Sequence, residues 1–218
     1  MFKKLNKSDI DWLIMADEDV IFKDVDALFE LIDYMRSENY DVCGVRDGGI
    51  VSHRNYNPFS INTFFSILNF KNIIKIYDER EINKHRYYIK DEFLDDLDNL
   101  PYAFDSSSLY EPYYCFYFWL RRSGKEILFL NSEMVGSEND NISNKVYSPK
   151  GSLILLHTWY ARSYNINIKH TIRINTYLND FDVNPNILSP IIFKDFTYRF
   201  KVKINKIYKR IKLKLTKI

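Results

Sequence analysis

The chain has 218 residues, 46% of them hydrophobic and 17% aromatic, which suits one globular domain with a sizeable core and excludes a disordered chain. The formal charge of +2 hides an asymmetry: residues 199–218 carry nine Lys and Arg and no acid, leaving 22 basic against 29 acidic residues elsewhere, a net −7. Cys43 and Cys115 lie in apolar runs with no disulfide or zinc spacing, which predicts buried free thiols and a reducing cytoplasm. The polar opening MFKKLNKSDID does not read as a secretory leader, and no run of about 18 apolar residues is present to span a bilayer.

In chain order, DWLIMA (11–16) predicts a short buried strand, and three consecutive acids follow it, Asp17, Glu18 and Asp19. Val25, Leu28, Phe29, Ile32 and Met35 then recur at helical spacing. Asp24 is the expected N-cap and Asp26 favours the first turn, so the acids fall on a loop between strand and helix. YDVCGV (40–45) predicts a second strand, ended by the turn signal RDGG. NPFSINTFFSILNF reads as a loop leading into a short helix, DEFLDDLDNL (91–100) as an amphipathic helix, and PYAFDSSSLYEP as a loop. Pro112 suits the first turn of a helix that runs through YYCFYFWLRRSG to Gly124. That helix is apolar all round and is expected to be buried. KEILFL (125–130) predicts a third strand, NSEMVGSENDNISNK a polar loop, and GSLILLH (151–157) another apolar segment. Alternating strands and helices predict an α/β domain, whose ligands sit beyond the strand ends.

Two acids one residue apart at a strand end can aim both carboxylates at one point. Their repulsion is relieved by a cation, and hard oxygen ligands suit Mg²⁺ or Mn²⁺. The bland alternative is a solvated loop whose acids favour the dipole of the next helix, and for an isolated D-x-D it is the commoner case.

WLIMADEDVIF resembles the D-x-D segment of nucleotide-sugar glycosyltransferases of the GT-A fold, the family 2-like group in particular. The resemblance implies that Asp17 and Asp19 hold Mn²⁺ or Mg²⁺ against the donor diphosphate, Asp19 as the direct ligand. LYEPYYCFYFWLRRSGKEILFL resembles the later stretch in which an acid opens a helix. It puts Glu111 at the position of the general base of inverting members, although the usual acid pair is here Tyr110-Glu111. Capping the helix is the plain alternative for Glu111, and Asp105 is a weaker substitute as base. LILLHTWYARSY resembles the region of the C-terminal histidine, which implies that His157 joins the metal or the diphosphate and that Arg162 faces the diphosphate. His170 and Arg173 are expected to be surface charge on a helix. Residues 46–67 lie where acceptor-facing loops sit, although for any single residue there an ordinary core or loop role is the simpler reading.

The resemblance covers about residues 9–175, the second half of such a domain, because only sixteen residues precede Asp17. The expected fold is therefore a partial GT-A, Rossmann-like mixed sheet with flanking helices over residues 1–190. A basic amphipathic tail is expected over 191–218, where Phe196, Phe200, Ile204, Ile207, Ile211, Leu215 and Ile218 form a helical stripe. A sheet short of strands would leave an edge open to a partner chain supplying the missing half. The implied function is metal-dependent transfer of a sugar from a nucleotide sugar to a glycan or lipid-linked acceptor, in the cytoplasm or on the inner face of an anionic membrane. A non-catalytic binding or assembly module derived from that fold is the second reading. A phosphatase lacks the small hydroxyl residue expected soon after DEDVIF, and no nucleic-acid motif accompanies the basic tail.

Overall fold

The computed structural model describes residues 2–5, 9–179, 197, 200, 203, 204 and 207. The chain divides into two compact units, Met1–Asp180 and Phe181–Ile218. Of the predicted C-terminal stripe, Phe196, Ile211, Leu215 and Ile218 lie outside the described residues; Phe200, Ile204 and Ile207 are helical and exposed, as is Lys203. Among the described residues no helix is long and apolar enough to cross a membrane.

The first unit is mixed α/β and contains two four-stranded sheets. Strand β1 (Trp12–Ala16) leads through the acids into β2 (Val20–Phe22), then α2 (Val25–Ser37), β3 (Val42–Arg46) and β4 (Ile61–Asn69). A short α1 (Phe2–Leu5) precedes them. Helices α3 (Phe70–Ile76), α4 (Glu79–Ile82) and α5 (Tyr114–Arg122) come next, followed by β5 (Ile127–Phe129), β6 (Ser132–Met134), β7 (Asn144–Tyr147), β8 (Leu153–His157) and α6 (Ile168–Leu178). The first sheet runs β1-β4-β3-β5, with β3 and β5 parallel and the other pairs antiparallel. The second, β2-β8-β7-β6, is wholly antiparallel. The chain therefore changes sheets across Asp17, Glu18 and Asp19. This explains why a partly buried strand ends in charge: the crossover lies where neither ladder can bury it.

Several local expectations hold for stated reasons. Asp24 accepts from the Ala27 amide and caps α2, whose Leu28, Leu31, Ile32 and Met35 enter the core. Gly124, at φ +70, ends α5, and the Lys125 amide returns to the Leu120 carbonyl, a closure only a left-handed residue permits cheaply. Both cysteines are free and buried. One core cluster fills the space under α2 with Val45, Phe65, Val146 and Leu155, and a second packs β3 and β4 on α3 and α5 through Val42, Leu68, Ile73 and Leu120.

Other expectations are corrected. INTFFSILN is no loop-to-helix segment but β4, the longest strand, paired on both sides and buried over most of its length. A central strand covered on both faces shows an unbroken apolar run, which periodicity cannot tell from a helix. β1 itself is only partly buried, and Val25 and Phe29 of the expected apolar stripe are exposed. DEFLDDLDNL forms turns, not a helix: Asp91 has φ +62 and Leu94 is 94% exposed. Its acids are held by distant partners. Asp95 meets both Arg46 and Arg121, and Glu92 takes Arg122 through both oxygens. NSEMVGSENDNISNK is not all loop, since it contains β6 and enters β7.

Candidate active site

The acids are fixed by both sheets. The Asp17 amide donates to the Phe64 carbonyl at 2.9 Å, continuing the β1–β4 ladder, and the Val20 amide closes a turn onto the Asp17 carbonyl. Two residues on, the Asp19 carbonyl accepts from the Thr158 amide at 2.9 Å and from the Thr158 hydroxyl at 3.1 Å. Val20 stands opposite His157 in the β2–β8 register. Residues 138 positions apart in sequence are thereby side by side, with His157 Nε2 at 3.2 Å from Asp19 Oδ1. The second oxygen, Oδ2, accepts the Ala161 amide at 3.1 Å.

That amide is aimed by an unusual turn. Trp159 and Tyr160 are both left-handed, at φ 57 and 61, a conformation that costs a non-glycine residue about 1 kcal/mol or more and persists only when its surroundings hold it. Trp159 is held at both ends: its indole Nε1 donates to Asn144 Oδ1 at 2.7 Å, and its carbonyl accepts from Arg173 Nη2 at 3.0 Å. Arg173 is buried, and its other arm donates to the Ser143 hydroxyl, with Asp140 at 3.7 Å. The surface-charge expectation for Arg173 is therefore wrong. This arginine braces the turn from inside α6. His170, partly exposed, stacks on Tyr160 at 4.7 Å.

The electrostatics separate the two aspartates. Burial raises the Asp17 pKa, and the Asp19 charge raises it further. Burial also raises that of Asp19, but the His157 hydrogen bond and the Ala161 amide outweigh it, so Asp19 is lowered and is the firmer anion. Burial lowers the His157 pKa more than Asp19 restores it, so the ring is neutral at neutral pH. The Asp19–His157 contact is then a hydrogen bond from neutral Nε2–H to a carboxylate, with Nδ1 left as a buried lone pair that has no partner.

The fit to a divalent ion is that of a pair. Two ligands at right angles around an ion at about 2.1 Å stand about 3.0 Å apart, close to the 3.2 Å between His157 Nε2 and Asp19 Oδ1. Asp17 does not complete the set, because among the described residues no three His, Cys, Asp or Glu side chains converge as ligands. Magnesium-type sites take their remaining ligands from water and substrate phosphate. Nδ1 would carry the proton when Nε2 ligates, without an acceptor, at a cost of about 1–3 kcal/mol. Beside Asp19 lies a cleft of about 190 Å³, lined by Glu18, Ile21, Thr158, Tyr164 and Ile174 among others. Arg162 does not line the cleft; its side chain is 95% exposed and its Nε is 4.0 Å from Glu18 Oε1.

Glu111 does not cap α5 with its side chain; the N-cap, Tyr113, makes no side-chain cap either. Glu111 Oε1 instead accepts from Arg54 Nη2 at 3.0 Å. Arg54 is clamped by Asp47, which is fully buried and takes Arg54 Nε and Nη2 at 2.9 Å each. Asn62 and the hydroxyls of Tyr113 and Tyr114 also donate to Asp47. Burial pushes the Asp47 pKa up against the pull of Arg54 and the tyrosines, while Asp47 keeps the Arg54 guanidinium charged. Asp105 lies apart from this set, an exposed residue capping the Ser107 amide.

The two clusters are contiguous. His53, next to Arg54 in the chain, packs edge-on to Trp159 at 4.6 Å, and Trp159 lies 4.2 Å from the His157 ring. Phe64 stacks on His157 at 4.1 Å, which fixes the ring plane, and lies 5.9 Å from Trp159. Asp47, His53, Arg54 and Trp159 were not singled out from sequence. Asp47, His53 and Arg54 fall in the 46–67 stretch where the resemblance puts acceptor-facing loops, and Trp159 in LILLHTWYARSY, but the only local signal among them is RDGG, read as a turn. Gly48 within it has a specific reason: a Cβ there would stand 1.9 Å from the Tyr56 carbonyl oxygen. No protein-family model matches the chain, and neither a curated protein nor a solved structure shows significant similarity to it.

Proposed function

We propose that the chain transfers a sugar from a nucleotide-sugar donor to a glycan or lipid-linked acceptor, with Asp19 and His157 as the metal–diphosphate end of the site and Glu111 as the base. One observation carries this reading: the aspartate and histidine picked out by the resemblance, far apart in sequence, meet at 3.2 Å beside a cleft. The firm negative charge of Asp19 and the neutral imidazole of His157 supply the protonation states that metal ligation needs. A divalent ion held there supplies charge to offset what grows on the departing diphosphate. In the transfer, the acceptor hydroxyl oxygen bonds to the anomeric carbon as the bond from that carbon to the diphosphate oxygen breaks. The bonding pair leaves with the diphosphate, and the hydroxyl proton passes to Glu111. Arg54 holds Glu111 by Oε1, which leaves Oε2 to face that proton. Asp47, by gripping Arg54, fixes where the carboxylate sits.

The reading is tested by screening UDP-, GDP- and dTDP-sugars for Mn²⁺-dependent release of nucleoside diphosphate. Release that is lost on chelation, in Asp19→Ala and in Glu111→Gln supports it. Release indifferent to Asp19 overturns it. A binding module descended from such an enzyme is the second reading, favoured by the absence of a third converging ligand among the described residues. It predicts no turnover with any donor.

A further inference from the structure

The metal-and-diphosphate reading leaves one exposed construction beside Glu111 unused. Tyr56 and Tyr110 lie parallel, their ring centroids 4.6 Å apart and their planes within 8°. The Arg54 guanidinium, the same one that holds Glu111, sits over Tyr56 at 4.5 Å. The layers therefore run Arg54, Tyr56, Tyr110, and Tyr110 is 68% exposed. Its chain neighbour is Glu111.

The stack is anchored from below. The Tyr56 carbonyl accepts the Asp105 amide at 3.1 Å, and Gly48 pairs with Asn55 so closely to Tyr56 that no side chain fits between them. Arg54 cannot withdraw, because Asp47 grips it by two hydrogen bonds.

We infer that Tyr110, backed by Tyr56 and Arg54, is the platform on which a pyranose ring of the acceptor lies, with one of its hydroxyls turned to Glu111. This rests on the glycosyl-transfer reading and names its acceptor subsite. The chemistry favours a sugar over a purely apolar ligand. A pyranose presents a flat face of electropositive C–H groups, which suits the electron-rich face of a phenol ring, while its rim of hydroxyls needs acceptors such as the Glu111 carboxylate. The cation lies on the far side of the stack, so the open face meets the ligand as a neutral aromatic surface. The platform takes no part in bond making; it sets which hydroxyl reaches the base.

The test uses the full chain and saturation-transfer NMR with methyl β-glucopyranoside, methyl β-galactopyranoside and methyl N-acetyl-β-glucosaminide. At least one is expected to receive saturation, strongest at the ring protons of one face. Tyr110→Ala should weaken that signal about fivefold or more, and Tyr110→Trp should keep it. Exposure of Tyr110 means that the fold survives either change, which circular dichroism checks. Absence of saturation with all three, or an unchanged signal in Tyr110→Ala, overturns the inference. Mn²⁺ binding read by electron paramagnetic resonance separates the two claims. Asp19-dependent binding without saturation sinks the platform alone, whereas saturation without such binding sinks the transferase reading and leaves a glycan-binding surface.

Discussion

Replacing Arg173 with Met tests whether the buried guanidinium holds the turn that aims an amide at Asp19. Methionine keeps much of the length and apolar bulk but removes two donors. The Trp159 carbonyl and the Ser143 hydroxyl each lose a charged hydrogen bond, worth about 1.5–3 kcal/mol apiece. Relief from burying a charge offsets part of that loss, because Asp140 keeps its bonds to the Ser143 and Ile142 amides and the Tyr177 hydroxyl. The net loss is about 2–4 kcal/mol, and for a chain of this size that lowers Tm by roughly 5–15 °C. Differential scanning calorimetry reads it. Ile172→Ala, at an exposed position of the same helix, is the control and should fall within about 0.5 kcal/mol of the parent. An Arg173→Met protein melting within about 2 °C of wild type would refute the bracing role.

Gly48→Ala should cost several kcal/mol, on the order of a severe core clash, seen in chemical denaturation, since the added methyl meets backbone at 1.9 Å. Burial lowers the His157 pKa, so below about pH 6.5 the unfolded chain holds a proton there that the folded chain refuses. Stability therefore falls as pH drops through that window, and His157→Gln should flatten the slope in urea titrations run from neutral to mildly acidic pH. Asp19 acts in the same direction further down: its lowered pKa gives stability that is present above its unfolded value and lost as pH falls below about 4. Asp47→Asn should leave Arg54 less firmly held. On the proposed function the expected outcome is a fall in kcat larger than any change in donor KM, because Arg54 holds Glu111, the proposed base, while the proposed donor end is at Asp19 and His157.

The sequence exposed the parts of this arrangement that depend on local rules. Asp24 and Gly124 act over one helical turn, so a cap and a terminator could be read from their neighbours. Asp17, Asp19 and His157 were singled out by the resemblance, at the ends of apolar segments, whereas the meeting of Asp19 with His157 comes from the β2–β8 pairing, which no local pattern announces. Segments settled by distant partners were misread. DEFLDDLDNL has the spacing of a helix, yet Glu92 and Asp95 are held by Arg122, Arg121 and Arg46, pairings that no local pattern announces. INTFFSILN is buried on both faces and so lost the alternation that marks a strand. Arg173 looked like surface charge because its partners, Ser143 and the Trp159 carbonyl, meet it only after β7, β8 and α6 assemble. Asp47 and Arg54 were hidden for the same reason, seven residues apart across a turn whose purpose is to bring them together.

The central claim is that Asp19 and His157 form one metal–diphosphate site, and a Mn²⁺ titration of the full chain with and without UDP or GDP tests it most directly. The account predicts Mn²⁺ binding that tightens with one of the nucleotides, is lost in Asp19→Ala and is weakened in His157→Ala. Mn²⁺ binding that survives Asp19→Ala unchanged, or no binding by the wild-type chain with either nucleotide, would contradict it.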